Sequence, residues 1–400
     1  MRILHVLDRP DIRGGALVYA EALRRYLEAR GHECFMLGVP EKPVAGPSGW
    51  AAVPRKSHWA LALRIYRKFD FDPSLFWAVR RMIREIDPQV VHVHNWAQAG
   101  NALLCACAPW PAVATVHDLS LSCPLPAKCL DEEGRLCHGH FGRACRKRGC
   151  FSLRVWLEQR LFREPLKRRF FRRARAVFVH SPSMAKILEA YGVRTVCLPR
   201  CTEAVSFPFC PPDPSSRRVL FVGHLSDAKG LGRLLEAFPL VRRTVPDAVL
   251  DVVGDGPERE RFVLQAAGLD GAVRFHGEVP HEEMPRFYRG AAVVAIPSQV
   301  PETGPFAALE AMSTGRPVVA SNLGGLAEVV QEGATGLLVD PHDVEGMAVG
   351  ISWLLENPAS AGRIGAAARR AFERLAAEDS FAGIEALIRS LDVPPRSGRP

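Results

Sequence analysis

The sequence predicts an α/β protein of two doubly wound domains, each a parallel sheet with helices on its faces. Three observations lead there. The chain has 400 residues, more than one hydrophobic core usually organises, so two domains of roughly 200 residues are expected. Short runs rich in Val, Ile, Leu and Ala come in two series with helical patterns between most of them. Continuous apolar runs suit strands buried on both faces, and alternation with helices suits parallel pairing. A Pro- and Ser-rich stretch, "CTEAVSFPFCPPDPSSRR" at 201–218, separates the series and reads as a linker.

Taken in order, the first series is "RILHVL", "VVHVH", "AVATV" and "AVFVH". The span from Trp96 to Val116 carries no charge, but Asn101, Pro109 and Pro111 interrupt it. It is expected to form a short helix and then a buried strand, not a membrane helix. The second series is "RVLFVG", "AVLDVVG", "AVVAIPS" and "PVVAS". The expected division is a first domain at 1–205, a second at 206–375, and a C-terminal helix within 376–400 that packs back on the first domain and ends in a disordered tail. In doubly wound folds facing across a cleft, a ligand lies outside the carboxyl ends of the strands.

Composition is that of an ordinary globular protein, with 48% apolar and 24% charged residues. The net charge of +9 is concentrated: between Arg143 and Arg175 there are 13 Arg or Lys against two Glu. No zinc-finger repeat or aromatic RNA-binding motif accompanies that charge, which argues against nucleic acid. "FSLRVWLEQRLFREPLKRRFF" mixes bulky apolar and cationic residues, as helices at an anionic membrane surface do. A solvated helix face explains the same composition. The apolar run in "MRILHVLDRP" is too short for a signal peptide, so a cytoplasmic location, peripheral at the inner face of the cell membrane, is expected.

The chemistry concentrates in "VPETGPFAALEAMSTGRPVV" at 300–319. A strand ends, a loop carries Glu302, and Pro305 suits the first position of a helix that Gly315 ends. Free amides at such a helix start hold an anion, and Gly304 lets a ligand come close to the backbone. Glu310, five residues beyond Pro305 and so about 7–8 Å up the axis, is placed to accept from paired hydroxyls such as those of a ribose. Glu302 would meet a second hydroxylated group. A nucleoside diphosphate sugar offers ribose, diphosphate and hexose in that order. An arbitrary pair of glutamates here would be surface charge, so the company they keep matters. In "FVGHLSDAKGLGRLLEAF" Lys229 stands at a strand's carboxyl edge, where an ammonium neutralises a diphosphate. Gly254 and Gly256 in "VVGDGPERERF" permit close approach at another strand end, and Gly14 and Gly15 follow the first strand.

As a set, the spacing of Glu302 and Glu310, "GHLSDAKG", "VVGDGPE", "FHGEVPHEEMPRFYRGAAVVAIPS", "GRPVVASNLGGLAEVV" and "GATGLLVDPHD" resembles glycosyltransferase family 4. That family has the GT-B fold and consists of retaining, nucleotide-sugar-dependent enzymes. The resemblance runs through most of 219–345 and recurs at Gly14, Gly15 and His117. It implies that Glu310 binds the donor ribose, Glu302 the donor sugar and Lys229 the diphosphate. Gly15, His224, Gly254 and the amides around Gly304, Pro305 and Phe306 would complete the donor seat. His117, in "TVHDLSLSCP", would reach the sugar from the first domain, giving His117, Glu302 and Lys229 as the catalytic set. The family usually has Arg where this chain has His224; arginine is always charged and forks onto phosphate oxygens, and histidine does neither reliably.

The expected reaction moves a hexose from a UDP- or GDP-sugar to a hydroxyl acceptor, a lipid-linked or polysaccharide intermediate of cell-envelope or exopolysaccharide synthesis. It needs no metal, because amides and Lys229 would stabilise the leaving diphosphate. A nucleotide-sugar epimerase of the same fold and a non-catalytic sugar-nucleotide or membrane-binding module are the alternatives. Finally, Cys123, Cys129, Cys137, Cys145 and Cys150 crowd one insertion at about 123–150. Cys123, Cys137, Cys145 and Cys150 would form a structural zinc site, with His138 or His140 as substitutes, while the absence of compact C-x2-C pairs leaves reduced thiols equally open, and disulfides are the remaining alternative.

Overall fold

The computed structural model describes residues 1–8, 14–39, 50–52, 69–96, 99–124, 141–269 and 271–391. The chain divides into two compact units, Met1–Leu198 with Asp379–Pro400, and Pro199–Glu378. The changeovers lie at 198/199 and 378/379, where the sequence reading set 205/206 and 375/376.

Among the described residues the first unit contains a sheet of seven strands: β1 (Arg2–Leu7), β2 (Glu33–Gly38), β3 (Trp50–Ala52), β4 (Val90–Val93), β5 (Ala112–Thr115), β6 (Ala176–Val179) and β7 (Val196–Cys197), in the order β3-β2-β1-β4-β5-β6-β7. Every pairing is parallel. β4, β5 and β6 are buried at every position, as strands covered by helices on both faces must be. The charge-free span gives the helix Gly100–Cys107 and then β5. The helix Ala382–Ser390 belongs to this unit. Phe381 packs edge-on against Tyr19 and Tyr26, the Tyr26 hydroxyl donates to Asp379 at 2.6 Å, and Arg30 pairs with Glu385 at 3.2 Å. The expected disordered tail lies outside the described residues.

The second unit has six parallel strands: β8 (Arg218–Val222), β9 (Val249–Val253), β10 (Val273–Gly277), β11 (Val293–Ile296), β12 (Val318–Ser321) and β13 (Gly336–Val339), ordered β10-β9-β8-β11-β12-β13. Both sheets therefore reverse strand order once, between β1 and β4 and between β8 and β11. Such a switch point opens a crevice at the carboxyl edge.

The stretch at 201–218 is not a free linker. The Phe207 amide donates to the Ser313 hydroxyl at 3.1 Å, the Cys210 amide to the Thr314 carbonyl at 3.3 Å, and Arg369 to the Phe207 carbonyl at 3.3 Å. Proline-rich composition removed amide donors without removing these apolar and carbonyl anchors. Arg316, fully buried, ties the same stretch to its surroundings, donating to the carbonyls of Cys210 (2.8 Å), Tyr288 (2.6 Å) and Arg289 (3.0 Å).

Candidate functional site

In the second unit the residues flanking the strand reversal meet. Lys229 ends the single turn Asp227–Lys229 after β8, and Glu302 lies on the loop after β11. Gly230 makes the meeting possible: at φ 74° its α-carbon faces the Pro297 carbonyl, and a Cβ there would sit 1.8 Å from that oxygen. The Gln299 amide then donates to the Ala228 carbonyl at 2.9 Å, sewing the loops together. Lys229 Nζ donates to both carboxylate oxygens of Glu302, at 2.6 and 2.8 Å, and the Ser298 hydroxyl donates to one of them. Lys229 keeps a third of its side chain in solvent, whereas Glu302 is 12% exposed. An ammonium has three donors, so one remains for a ligand.

The helix Phe306–Thr314 follows, ended by Gly315 at φ 76°. Pro305 does not occupy its first position. It precedes the helix at φ −77°, ψ 72°, the centre of a three-residue turn in which the Phe306 amide donates to the Gly304 carbonyl at 2.8 Å. The expectation of a free amide at Phe306 is corrected accordingly: the turn that a Gly-Pro pair favours consumes that donor. The Ala308 and Leu309 amides return to the Pro305 carbonyl. Among the described residues no acceptor meets the amides of Gly304 and Ala307, so those two are the donors this helix start offers. A side chain at Gly304 would crowd only the Phe306 ring, 3.6 Å away.

Glu310, one turn further, is 6% exposed. Its carboxylate accepts from the Tyr288 hydroxyl at 2.5 Å and stands 3.1 Å from His281 Nε2. Burial, and then the Glu310 charge, push the Tyr288 phenol well above its ordinary pKa, keeping it a donor. Phe207 stacks beside both rings, with centroids at 5.0 Å from His281 and 5.8 Å from Tyr288. Sequence reasoning missed Tyr288 and His281. They come from the turn His281–Glu283 and the helix Met284–Gly290, and no local spacing links them to Glu310.

Gly254 and Gly256 are required by the packing of the protein's own loops. A Cβ on Gly254 (φ 129°) would lie 2.0 Å from the Gly223 carbonyl oxygen, and one on Gly256 2.4 Å from that of Leu225. Both glycines let the loops after β8 and β9 lie against each other, an approach that the Gly223 amide to Val253 and the Leu225 amide to Asp255 bonds, each 3.0 Å, hold closed. His224, between them, is exposed.

In the first unit, Gly14 begins the helix Gly15–Glu28, its carbonyl accepting from the Leu17 and Val18 amides. His117 follows β5, half-buried, with Tyr19 edge-on at 4.9 Å. Burial, reinforced by His180, holds its pKa down at about 3, so the ring is neutral. His117 Nε2 is 3.3 Å from His94 Nδ1.

The sequence profile of Glycosyltransferase Family 4 matches residues 13–201, and that of Glycosyl transferases group 1 matches 210–371. The chain belongs to glycosyltransferase family 4. Its relatives include the glycogen synthase of Mycobacterium tuberculosis, 30% identical over 292 residues that cover 71% of this chain and 64% of the synthase. The phosphatidyl-myo-inositol mannosyltransferase of Mycolicibacterium smegmatis is 28% identical over 87% of this chain and 82% of its own. Two solved structures share the GT-B fold: sucrose-phosphate synthase from Thermosynechococcus elongatus (TM-score 0.70, 21% identity, covering 98% of this chain and 99% of that one) and Anabaena HepE in complex with UDP and glucose (0.69, 20%, 98% and 100%).

Two further features of this family 4 chain bear on the sequence expectations. Of the proposed zinc ligands, Cys123 and Cys145 are buried and Cys150 half-buried, while Cys137 lies outside the described residues, as does Cys129. Phe141, Cys145 and Phe151 form a small core of their own, and the Phe141 amide donates to the Ser122 carbonyl at 2.8 Å, pinching the insertion at its base. The basic segment forms continuous helix from Leu153 to Arg173 with a π-turn at Gln159–Arg163. Leu153 and Leu161 are more than half exposed on it. Among the described residues no helix is long and apolar enough to cross a membrane.

Proposed function

We propose that this protein is a retaining glycosyltransferase that moves a hexose from a UDP- or GDP-sugar to a hydroxyl acceptor. The observation that carries the reading is the meeting of Lys229 and Glu302 from the two strands flanking the order reversal, beside the helix that bears Glu310. The diphosphate would rest on the third donor of Lys229 and on the amides of Gly304 and Ala307. Glu310, already oriented by Tyr288 and His281, would accept from the ribose hydroxyls with its remaining lone pairs.

Breaking the sugar–phosphate bond builds negative charge on the diphosphate, and fixed donors aimed there lower the barrier. Glu302, held by Lys229 and Ser298, would position the sugar hydroxyls; its carboxylate is committed to those partners and is not the nucleophile of a double-displacement scheme. The acceptor hydroxyl would then attack on the face that the diphosphate leaves. Relatives with lipid-linked acceptor names, and the exposed Leu153 and Leu161 among the arginines of that helix, support a lipid-linked acceptor at an anionic membrane surface. A structural zinc in the cysteine-rich insertion remains part of this proposal, without a role in the chemistry.

A panel of nucleotide sugars tested for thermal stabilisation, with hexose transfer then measured for the hits, examines the reading. A true donor raises the melting temperature because it binds only the folded chain, and Glu310→Ala shrinks that rise. No stabilisation by any nucleotide sugar would reject it.

A further inference from the structure

The carboxyl half of the first sheet buries a group of histidines that glycosyl transfer does not use. His5 on β1 pairs in register with His92 on β4, and His94 is two residues further along the same strand direction. An H-x-H spacing puts both rings on one face of a strand, and His5 joins them from the neighbouring strand. All three side chains are fully buried. One nitrogen from each lies within 4.8 Å of the others.

Their hydrogen bonding is incomplete. His92 Nε2 meets the Thr115 hydroxyl at 2.8 Å, His94 Nδ1 faces His117, and His94 Nε2 stands 3.1 Å from His5 Nδ1. His92 Nδ1 and His5 Nε2, both buried, have no partner among the described residues. Leaving a polar atom buried and unpaired costs about 1–3 kcal/mol, so each of these two rings has a reason to take a ligand.

We propose that His5, His92 and His94 bind a late first-row transition metal ion, zinc in the first instance. The donor set selects it: three imidazoles suit zinc, copper or nickel, whereas magnesium and calcium require oxygen ligands. Tetrahedral zinc with bonds near 2.05 Å sets its nitrogens about 3.4 Å apart; the three donors already lie within 4.8 Å of one another, and His92 and His94, whose rings stack at 4.2 Å and 27°, would swing out of that stacking to converge. Burial holds His92 and His94 well below the ordinary histidine pKa and His5 down at about 3, so they are in the neutral state that ligation requires. The fourth position would take a water, acidified by the ion, whose hydroxide offsets part of the buried charge.

The outer contacts fit as well. His92 would ligate through Nδ1, leaving Nε2–H to donate to Thr115, and His94 through Nε2, leaving Nδ1–H to donate to His117 Nε2. Such outer-shell hydrogen bonds orient metal-bound histidines. The ion would thereby fix the proton of His117 on its Nδ1, setting the tautomer of the residue that the family resemblance places at the donor sugar. The metal site stands without the glycosyltransferase reading, since it rests on the first unit alone.

The test is a Co²⁺ titration of the chelator-stripped full chain followed by visible absorption. The expected result, in the full chain carrying Cys123→Ser and Cys145→Ser so that the insertion's thiolates do not contribute, is a single equivalent bound with cobalt d–d bands and no near-ultraviolet thiolate band. His92→Gln should weaken binding at least 100-fold. Thr115→Val, which removes no ligand and preserves shape, should weaken it about 10–100-fold, and it decides the matter if His92→Gln fails to fold. Absence of d–d bands in that chain, or affinity unchanged in Thr115→Val, would overturn the proposal and leave the rings as a plain imidazole network.

Discussion

The two sheets reverse strand order in the same way, yet they furnish the reversal with opposite electrostatics. In the second unit, strands β8 and β11 lead to Lys229 and Glu302, charged groups paired at 2.6 Å with the lysine still partly in water. In the first, β1 and β4 bring His5, His92 and His94 together, rings that burial keeps neutral. Shared topology thus supplies only the crevice. The residue types within and after each strand decide whether charged or neutral groups gather there, which is why function must be argued from the site and not from the fold.

The comparison can be broken most severely at the charged edge. Lys229→Ala and Glu302→Gln should each lower kcat/KM by roughly 100- to 1000-fold, the scale of removing one preorganised transition-state contact. Steady-state kinetics with the donor identified by the stabilisation panel will show it, and the Lys229 loss should appear in kcat more than in KM. Tyr288→Phe should cost about 10-fold in donor affinity, since a hydrogen bond to a charged group contributes roughly 1.5–3 kcal/mol and the Glu310 carboxylate would keep its His281 neighbour; a calorimetric titration measures this. His224→Arg is the sharpening experiment: a forked, permanent cation at an exposed loop position should improve diphosphate affinity only a few-fold, about 1 kcal/mol or less as expected for a solvated ion pair. The smallest effect belongs to the neutral unit. Burial chiefly lowers the pKa of His32, against the opposing contact with Glu385. The unfolded chain then binds more protons below the ordinary histidine pKa near 6.5, so His32 contributes stability above that pH and its contribution fades as pH falls. Thermal melts across pH 7 to about 5 should decline less steeply for His32→Gln than for wild type.

Much of this was legible in the sequence, for physical reasons. All eight apolar runs read as strands form strands, because strands covered on both faces carry nearly continuous apolar runs in which His5, His92 and Asp251 are single interruptions. β2 and the edge strands β3, β7, β10 and β13 escaped notice. β10 alternates half-buried with exposed residues and both residues of β7 are exposed, so neither carries a continuous apolar signal. The Pro- and Ser-rich stretch misled because composition reports missing donors, not the carbonyls and phenylalanines that fasten 207–210 to the second unit. At the candidate site, spacing points to Lys229, Glu302 and Glu310, whereas it does not show that the helix begins at Phe306, after Pro305, or that the Gly304 carbonyl takes the Phe306 amide. Tyr288 and His281 stayed hidden because their relation to Glu310 exists only after folding. The histidine group was half visible: H-x-H can be read in "VVHVH", whereas the register that sets His5 beside His92 cannot.

The central claim is that Glu310 holds the nucleoside and Glu302 the sugar of one donor. Calorimetric titration of the nucleoside diphosphate and of its hexose conjugate into wild type, Glu310→Ala and Glu302→Gln tests it most directly. The account predicts that Glu310→Ala weakens both ligands equally, whereas Glu302→Gln leaves the diphosphate's affinity intact and removes only the increment due to the hexose. Unchanged affinity for both ligands in Glu310→Ala, or an equal loss for both in Glu302→Gln, would contradict it.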